Sequence, residues 1–348
     1  KIIASTATVS RASDQMNHLY NNRFDGEVFK QEMVNVFPHP VIDYNDSFFG
    51  KELSDSGQSR LYVGLNPTGY PDPKTAQVRI VSSLLQGVKN LNVTNEKDRD
   101  PYWTLLMYFN SIRELSGSST LIDQDIIAYL KQIYNRKFPD SLENILNKDK
   151  KDRDWIGSNQ RSHYPKKIEL AARQVNDISE ALRQLEIKYS DKNSKPVDVC
   201  LATNMISVGV DISRLGTMLV IGQPKTTSEY IQATSRVGRN YPGIVFVWYN
   251  NARPRDKSHF EQFISYHRKI YSMVEPTSIT PFSDPVRQRA LHAQVITLAR
   301  YFGVARATDS IDQEIREKIK EILIAKVSRT DPNEVESTEN QINKIFKL

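Results

Sequence analysis

Between Arg60 and Tyr249, short apolar runs alternate with amphipathic stretches, a pattern that predicts an α/β core with a parallel sheet and helices on both faces. The runs "RLYVGL", "WTLLMYF", "KKIELA", "VDVCLAT", "GTMLVIG" and "GIVFVWY" read as strands, and the opening "KIIAST" reads as one more. Several are apolar without interruption, as expected of strands covered on both sides. From Asp25 to Ser59 the pattern breaks into Pro, Asp, Ser and Gly and reads as a linker or lid. Ser116 to Lys167 reads as a second irregular stretch. It holds a helix around "DQDIIAYLKQIY" and then the charged "NKDKKDRD", expected on a solvated surface insertion.

Beyond Arg253 the pattern turns helical. One helix is predicted over "DKSHFEQFISYHRKIYSMVE", with Phe260, Phe263, Ile264, His267, Ile270, Tyr271 and Val274 on one face and Ser258 with Glu261 as a capping box. Interleaved aromatic and basic residues also suit base stacking, but a stripe this regular favours a core face, with His267 packed rather than ligating. "RALHAQVITLARYFG" is expected to end on Gly303, and "SIDQEIREKIKEILIAKV" puts Ile311, Ile315, Ile319, Ile322 and Leu323 on one side. The tail after Ser328 is polar and is expected to fray.

Composition narrows this only a little. With 348 residues, 47 basic against 41 acidic and a net charge of +6, the chain suits a polyanionic partner without requiring one. The single cysteine, Cys200, lies in an apolar run and reads as a core thiol, which excludes an internal disulfide and a cysteine-rich metal site. No apolar run reaches the ~18 residues that span a bilayer. The chain opens on a strand-like segment without Met, and the expectation is a piece of a longer protein.

Candidate chemistry begins at "EYIQATSRVGR". Thr226 as N-cap with Glu229 three residues on predicts a helix starting about Thr227. Gln232 and Arg236 are four apart on it, Arg239 joins the same face if the helical turn persists, and Gly238 lets the backbone turn tightly near the helix end. Guanidinium groups suit bidentate contact with phosphate oxygens. A basic helix end complementing the macrodipole is the other reading, and the stretch alone leaves both open. Upstream, "LATNMISVGVDI" places Thr203 and Asn204 at a strand's C-terminal end, where open α/β sheets bind ligands, followed by Gly209 and Asp211. A hydroxyl and an amide there can contact a phosphodiester, and an aspartate can accept from a ribose hydroxyl. A plain strand-to-helix loop accounts for that stretch equally well.

In this order and spacing the two stretches resemble the fifth and sixth motifs of superfamily 2 helicases: Ala202, Thr203, Gly209 and Asp211, then Gln232, Arg236, Gly238 and Arg239. Ser235 stands where the general pattern has Gly, which bears on local backbone geometry and leaves both arginines in place. "STATVSR" resembles the third motif, with Thr6 and Thr8. "LLMYFNSIREL" resembles the fourth-motif strand and helix with Asn110, Ser111 and Arg113, and "IELAAR" the next strand with Arg173. Longer phrases such as "GQPKTTSEYIQATSRVGR" and "VEPTSITPFS" resemble the helicase subunits of bacterial anti-phage DISARM systems.

The resemblance implies a RecA-like parallel sheet flanked by helices, the C-terminal domain of a P-loop NTPase helicase. Residues 1–24 would close a first RecA-like domain, 25–59 link, 60–253 form the second with an insertion at about 116–167, and 254–348 make a helical C-terminal region. It implies ATP with Mg²⁺ between the two RecA-like domains, Arg236 and Arg239 with Gln232 at the γ-phosphate as arginine fingers, and Gly209 and Asp211 at the nucleotide. Thr203, Asn204, Asn110, Ser111 and Arg173 would follow a nucleic-acid strand, and Thr6 and Thr8 would couple the sites. The implied partners are single-stranded or duplex DNA, with RNA not distinguished, the first RecA-like domain of the same protein and a DISARM partner subunit, in the cytoplasm and without a membrane. The phosphate loop G-x-x-x-x-G-K-[ST] and a D-E-x-H or D-E-x-D motif do not occur. In the family they precede the third motif, so they are expected upstream, and these 348 residues alone are expected not to hydrolyse ATP. A non-catalytic RecA-like binding scaffold is the rival reading.

Overall fold

The computed structural model describes residues 3, 5–6, 8–20, 23–24, 29–30, 46–48, 50–51, 59–70, 72–137, 165–171, 178–191, 194–204, 212–277, 279–304 and 310–347. They divide into two compact units, Glu52–Glu275 and Lys1–Lys51 with Pro276–Leu348.

The first unit is built on six strands: β1 (Arg60–Leu65), β2 (Leu105–Phe109), β3 (Lys167–Leu170), β4 (Val199–Ala202), β5 (Thr217–Ile221) and β6 (Gly243–Trp248). All pair in parallel, in the order β1-β6-β5-β2-β4-β3. The six strands expected between Arg60 and Tyr249 are thus all present. β2, β4 and β5 are buried at every position, as their unbroken apolar sequences require of central strands. β1 lies at one edge, and Leu61 there is 61% exposed.

Alternate side chains go to opposite faces. Leu106, Tyr108, Cys200, Ala202, Met218, Val220, Val245 and Val247 build one core, and Leu105, Met107, Phe109, Val199, Leu201, Leu219, Ile221 and Trp248 build the other. Cys200 is fully buried, and burial pushes its thiol far above the ordinary range, so it packs as an apolar group.

Helices cover both faces. Among the described residues, those N-terminal to β3 are α2 (Pro73–Asn90), α3 (Glu96–Trp103), α4 (Ile112–Leu121) and α5 (Ile127–Lys137), numbered after α1 (Ala12–Tyr20) of the other unit. A π-helical turn, Ile122–Ile126, joins α4 to α5. The helix expected around "DQDIIAYLKQIY" is present, and it starts earlier, with α4: Leu115, Ile122, Ile126 and Leu130 are buried in the second core. The apolar residues at i, i+4 and i+8 turn one face inward. The run "NKDKKDRD" lies outside the described residues.

Among the described residues, four further helices of this unit follow β3: α6 (Ile178–Glu186), α7 (Thr227–Thr234) and the pair α8 (Pro254–Glu261) and α9 (Phe263–Arg268). The single helix expected over 256–275 is broken. Pro254 starts it early, with Arg253 as N-cap, so Ser258 is interior and forms no capping box. Gln262 (φ −100°, ψ 15°) then interrupts it, and Ile270–Met273 is a 3₁₀ turn. The break rotates the stripe: Phe260, Phe263, Tyr266 and Ile270 pack on the first core, while Ile264 and Tyr271 face solvent at 67% and 70% exposure.

In the second unit, α10 (Asp284–Tyr301), α11 (Gln313–Thr330) and α12 (Val335–Ile345) bury Leu291, Val295, Ala299, Ile319, Leu323 and Ile342 together. The tail expected to fray is therefore α12. Its polar majority hid an apolar face of Ile342, Ile345 and Phe346. Arg287, 5% exposed, ties the bundle by donating to Phe282 O, the Glu334 carboxylate and Gln341 Oε1. Short two-residue ladders pair Arg23–Phe24 with Phe29–Lys30 and Asp46–Ser47 with Gly50–Lys51. Of the opening strand, residues 3, 5 and 6 are described, and none of them is in a strand. Most of the 25–59 segment lies outside the described residues.

Candidate functional site on the two rims of the sheet

The candidate residues fall on opposite rims because a parallel sheet sends each crossover helix back from the C-terminal ends of the strands to the N-terminal ends. α7 makes that return from β5 to β6. It starts where expected: Thr226 Oγ1 accepts from Glu229 N at 3.1 Å. A capping group the sequence did not suggest is Glu275, whose carboxylate accepts from Thr227 N at 3.0 and 2.9 Å and from Thr227 Oγ1 at 3.1 Å. A carboxylate at that end complements the helix dipole.

α7 ends at Thr234, before either arginine. The shared helical face expected for Gln232, Arg236 and Arg239 is not formed. Instead Ser235 Oγ donates to Gln232 O at 2.9 Å, Arg236 N to Ala233 O at 3.1 Å and Val237 N to Thr234 O at 3.4 Å, tightening the last turn. Gly238 then takes φ +71° and reverses the chain. A Cβ on Gly238 would lie 2.8 Å from Gly243 Cα, so the motif's glycine is required both by its left-handed backbone and by this close approach. Gln232 therefore sits on the last helical turn and Arg236 and Arg239 on the loop after it, all three half-buried.

The loop is fastened at several points. Gly238 N donates to Leu215 O at 2.9 Å, and Gly243 N to Ser59 O at 2.7 Å. Arg60 Nε donates to Val237 O at 2.7 Å, and Arg239 Nε to Ser235 O at 3.2 Å. The neighbouring 212–216 segment is held in turn: Gly216 N donates to Pro101 O at 2.6 Å, and buried Arg214 donates to Leu185 O at 2.6 Å and Thr104 Oγ1 at 2.8 Å beside Asp100. Burial lowers the Arg214 pKa, and Asp100 opposes that shift. Gly209, Asp211 and Arg173 lie outside the described residues.

On the C-terminal rim the expected strand contacts have structural partners. Asn110 Nδ2 donates to Ile221 O at 3.1 Å and Gln223 O at 3.4 Å, and Ser111 Oγ caps α4 by accepting from Glu114 N at 3.2 Å. Thr203 is 5% exposed, and its N–H donates to Leu170 O at 3.3 Å; Asn204 is exposed. The loop entering α7 is gripped by residues the motifs do not mark. Buried Asp256 accepts from Gln223 N at 3.1 Å and Asn250 N at 3.0 Å, and Arg255 Nη2 donates to Pro224 O at 2.7 Å and Lys225 O at 2.8 Å. Nothing local announces these roles, since each depends on contacts across distant sequence.

Beneath α7, His267 Nδ1 lies 2.8 Å from Phe263 O, which can only accept, so Nδ1 carries the proton and Nε2 accepts from Tyr230 OH at 2.9 Å. Burial lowers its pKa, as fits a packed neutral histidine. Thr6 and Thr8, joined by a 3.4 Å bond from Thr8 N to Thr6 Oγ1, belong to the other unit. Among the described residues no three His, Cys, Asp or Glu side chains are placed to hold a metal ion, and no helix is long and apolar enough to cross a membrane.

The all-parallel six-stranded sheet is RecA-like, and residues 142–241 match the helicase conserved C-terminal domain family. The chain resembles the C-terminal part of a superfamily 2 helicase. More particularly, it resembles the DISARM protein DrmA of Bacillus paralicheniformis, with 37% identity over 346 residues, 97% of this chain and 28% of the relative. The chain thus spans well under half the length of that relative. Among solved structures, it is similar to the DUF1998 helicase MrfA bound to DNA (14% identity, 76% of this chain and 30% of that one, TM-score 0.42). It is also similar to domain 2 of the DEAD-box helicase Mss116p bound to an RNA duplex (12% identity, 84% and 88%, TM-score 0.34). Both likenesses are too partial to bear on function.

Proposed function

We propose that this chain is the C-terminal part of an ATP-dependent superfamily 2 helicase or translocase acting on DNA in bacterial phage defence. The observation that carries the reading is the turn bearing Arg236 and Arg239, whose backbone is pinned to Leu215 and to Arg60 so that two permanently charged forks issue from one fixed loop. Such a donor set fits the phosphates of ATP and gives no fit to Mg²⁺, whose ligands belong to the phosphates and to a first RecA-like domain upstream. When bound, Mg²⁺ neutralises charge on the β- and γ-phosphates.

Arg236 and Arg239 stabilise the charge that develops on the γ-phosphoryl oxygens, and Gln232 orients the attacking water beside them. Asp211, with Gly209 allowing close approach, accepts from the ribose hydroxyl. On the opposite rim Thr203 and Asn204 hold phosphates of one strand, and Arg173 serves the same strand, sequence-independently and with strong salt dependence. Asn110 and Ser111 support that rim, with Asn110 fixing the 221–223 backbone and Ser111 the start of α4. Thr6 and Thr8 link nucleotide state to strand grip.

The test uses the full-length protein, assayed for ATP hydrolysis with and without single-stranded DNA. Stimulation by DNA, lost in Arg239→Ala, is expected. An undiminished rate in that variant overturns the arginine assignment, and no hydrolysis by the folded full-length protein leaves the scaffold reading. Equal stimulation by RNA removes the preference for DNA.

A further inference from the structure

A third arginine, marked by no motif, fastens the turn that carries the other two. Arg60 opens β1 at the sheet edge, about 175 residues away in sequence. Its Nε donates to Val237 O at 2.7 Å and its Nη2 to Ser235 O at 3.4 Å, so one planar fork holds the carbonyls on either side of Arg236. The aliphatic stem lies against Gly238, where a Cβ would come within 3.1 Å of Arg60 Cγ. Ser235 O also accepts from Arg239 Nε at 3.2 Å. A carbonyl has two lone pairs and can take both donors, so Arg60 anchors the same oxygen that orients Arg239.

The N–H groups of the turn are bonded as well: Arg236 N to Ala233 O, Val237 N to Thr234 O, Gly238 N to Leu215 O and, after it, Gly243 N to Ser59 O. Arg60 adds donors from a distant strand to the carbonyls of Ser235 and Val237. Without the Arg60 fork Val237 O and Ser235 O each lose a charge-assisted donor, which loosens the turn that carries the two guanidinium groups. Resting on the reading of Arg236 and Arg239 as phosphate-facing groups, we propose that Arg60 is a positioning residue for the arginine turn. It touches no substrate; it presets the orientation of both forks before nucleotide binds.

The test places Arg60→Met and Arg60→Lys beside Arg239→Ala in the full-length protein. Met keeps the stem over Gly238 and removes every donor, whereas Lys keeps the charge and one donor. Loss of preset geometry is expected to lower kcat for ATP hydrolysis roughly ten- to a hundredfold in Arg60→Met. KM for ATP is expected to stay within about threefold, since a group acting on transition-state geometry lowers kcat and kcat/KM together. Arg60→Lys is expected to recover part of the rate. In hydrogen exchange, the Gly238 amide is expected to lose protection in Arg60→Met while the β2 amides keep theirs, separating a loosened turn from a destabilised sheet. If Arg60→Met does not fold, Arg60→Lys is read by the same split.

An unchanged kcat in Arg60→Met, with Arg239→Ala inactive, overturns the Arg60 inference and leaves the arginine reading standing. Unchanged Gly238 protection also overturns it, as does a rise in KM with kcat intact. Full activity in Arg239→Ala overturns the arginine reading and this inference with it.

Discussion

At the C-terminal rim of the sheet, side chains hold loops to one another; at the N-terminal rim, the backbone and one arginine hold a turn. The first arrangement is a closed web: Asp256 bridges the loops after β5 and β6, Asn110 and Arg255 grip residues 221–225, and Arg253 pairs with Glu114 at 2.6 Å. The second leaves Gln232 half-buried on the last turn of α7 and Arg236 and Arg239 half-buried on a loop whose shape is set by Gly238, Leu215 and Arg60. The difference separates positioning from chemistry. A rim whose polar groups bind one another gains rigidity and offers a ligand its remaining exposed groups, such as Asn204, whereas a rim whose loop is fixed largely through its backbone can offer its charged side chains.

The comparison breaks most visibly at Arg239. Arg239→Ala in the full-length protein is expected to cut ATPase at least about a hundredfold, measured at saturating DNA. Next comes Gly238→Ala, which forces a side chain into a left-handed backbone and against Gly243, and is expected to cost about 2–5 kcal/mol in chemical denaturation. Asp256→Ala, on the other rim, orphans the N–H groups of Gln223 and Asn250 and is expected to cost about 2–4 kcal/mol. If Asp256→Ala left stability unchanged, the web at that rim would not be holding its loops.

Smaller effects sharpen the contrast. Asn204→Ala is expected to weaken DNA binding roughly two- to tenfold, as one neutral hydrogen bond allows. The slope of affinity against salt should not change, because no cation is removed. The smallest effect is with pH. Burial depresses the pKa of His267, and burial followed by Arg255 depresses that of His259 despite Asp256 and Glu275 nearby. Both therefore take up protons more readily when unfolded. The stability they contribute is present above the unfolded value of about 6.5 and is lost as pH falls through and below it. Denaturation midpoints measured from pH 8 to 5 should decline below about 6.5 and flatten in His267→Gln.

The strands were legible because their burial is written in unbroken apolar runs such as "LLMYF" and "TMLVI", and the start of α7 because Thr226 and Glu229 form a local signal. The end of α7 was legible only in part: Gly238 marks a tight turn near it, but the stop at Thr234 is not marked. Nothing in "QATSRVGR" announces that Gly243 will press on Gly238, and that contact, with i−3 bonding at Ser235 to Val237, is what stops the helix short of the arginines. The frayed tail and the unbroken C-terminal helix failed for a related reason. Ile342 gains its burial only against α10 and α11, and the interruption at Gln262 is set by how Phe263 and Tyr266 dock on the sheet core.

By itself, then, the sequence determined the six strands of the parallel sheet, the α/β class, and the order of Thr203, Gln232, Arg236 and Arg239 along the chain, since hydrophobic periodicity and capping act over a few residues. Tertiary structure alone decided that Arg60 grips the turn at Ser235 and Val237, that Glu275 caps α7, and that Asp256 joins two loops. Each of these is a hydrogen bond between residues far apart in sequence, and only the packing of the sheet brings such partners within reach.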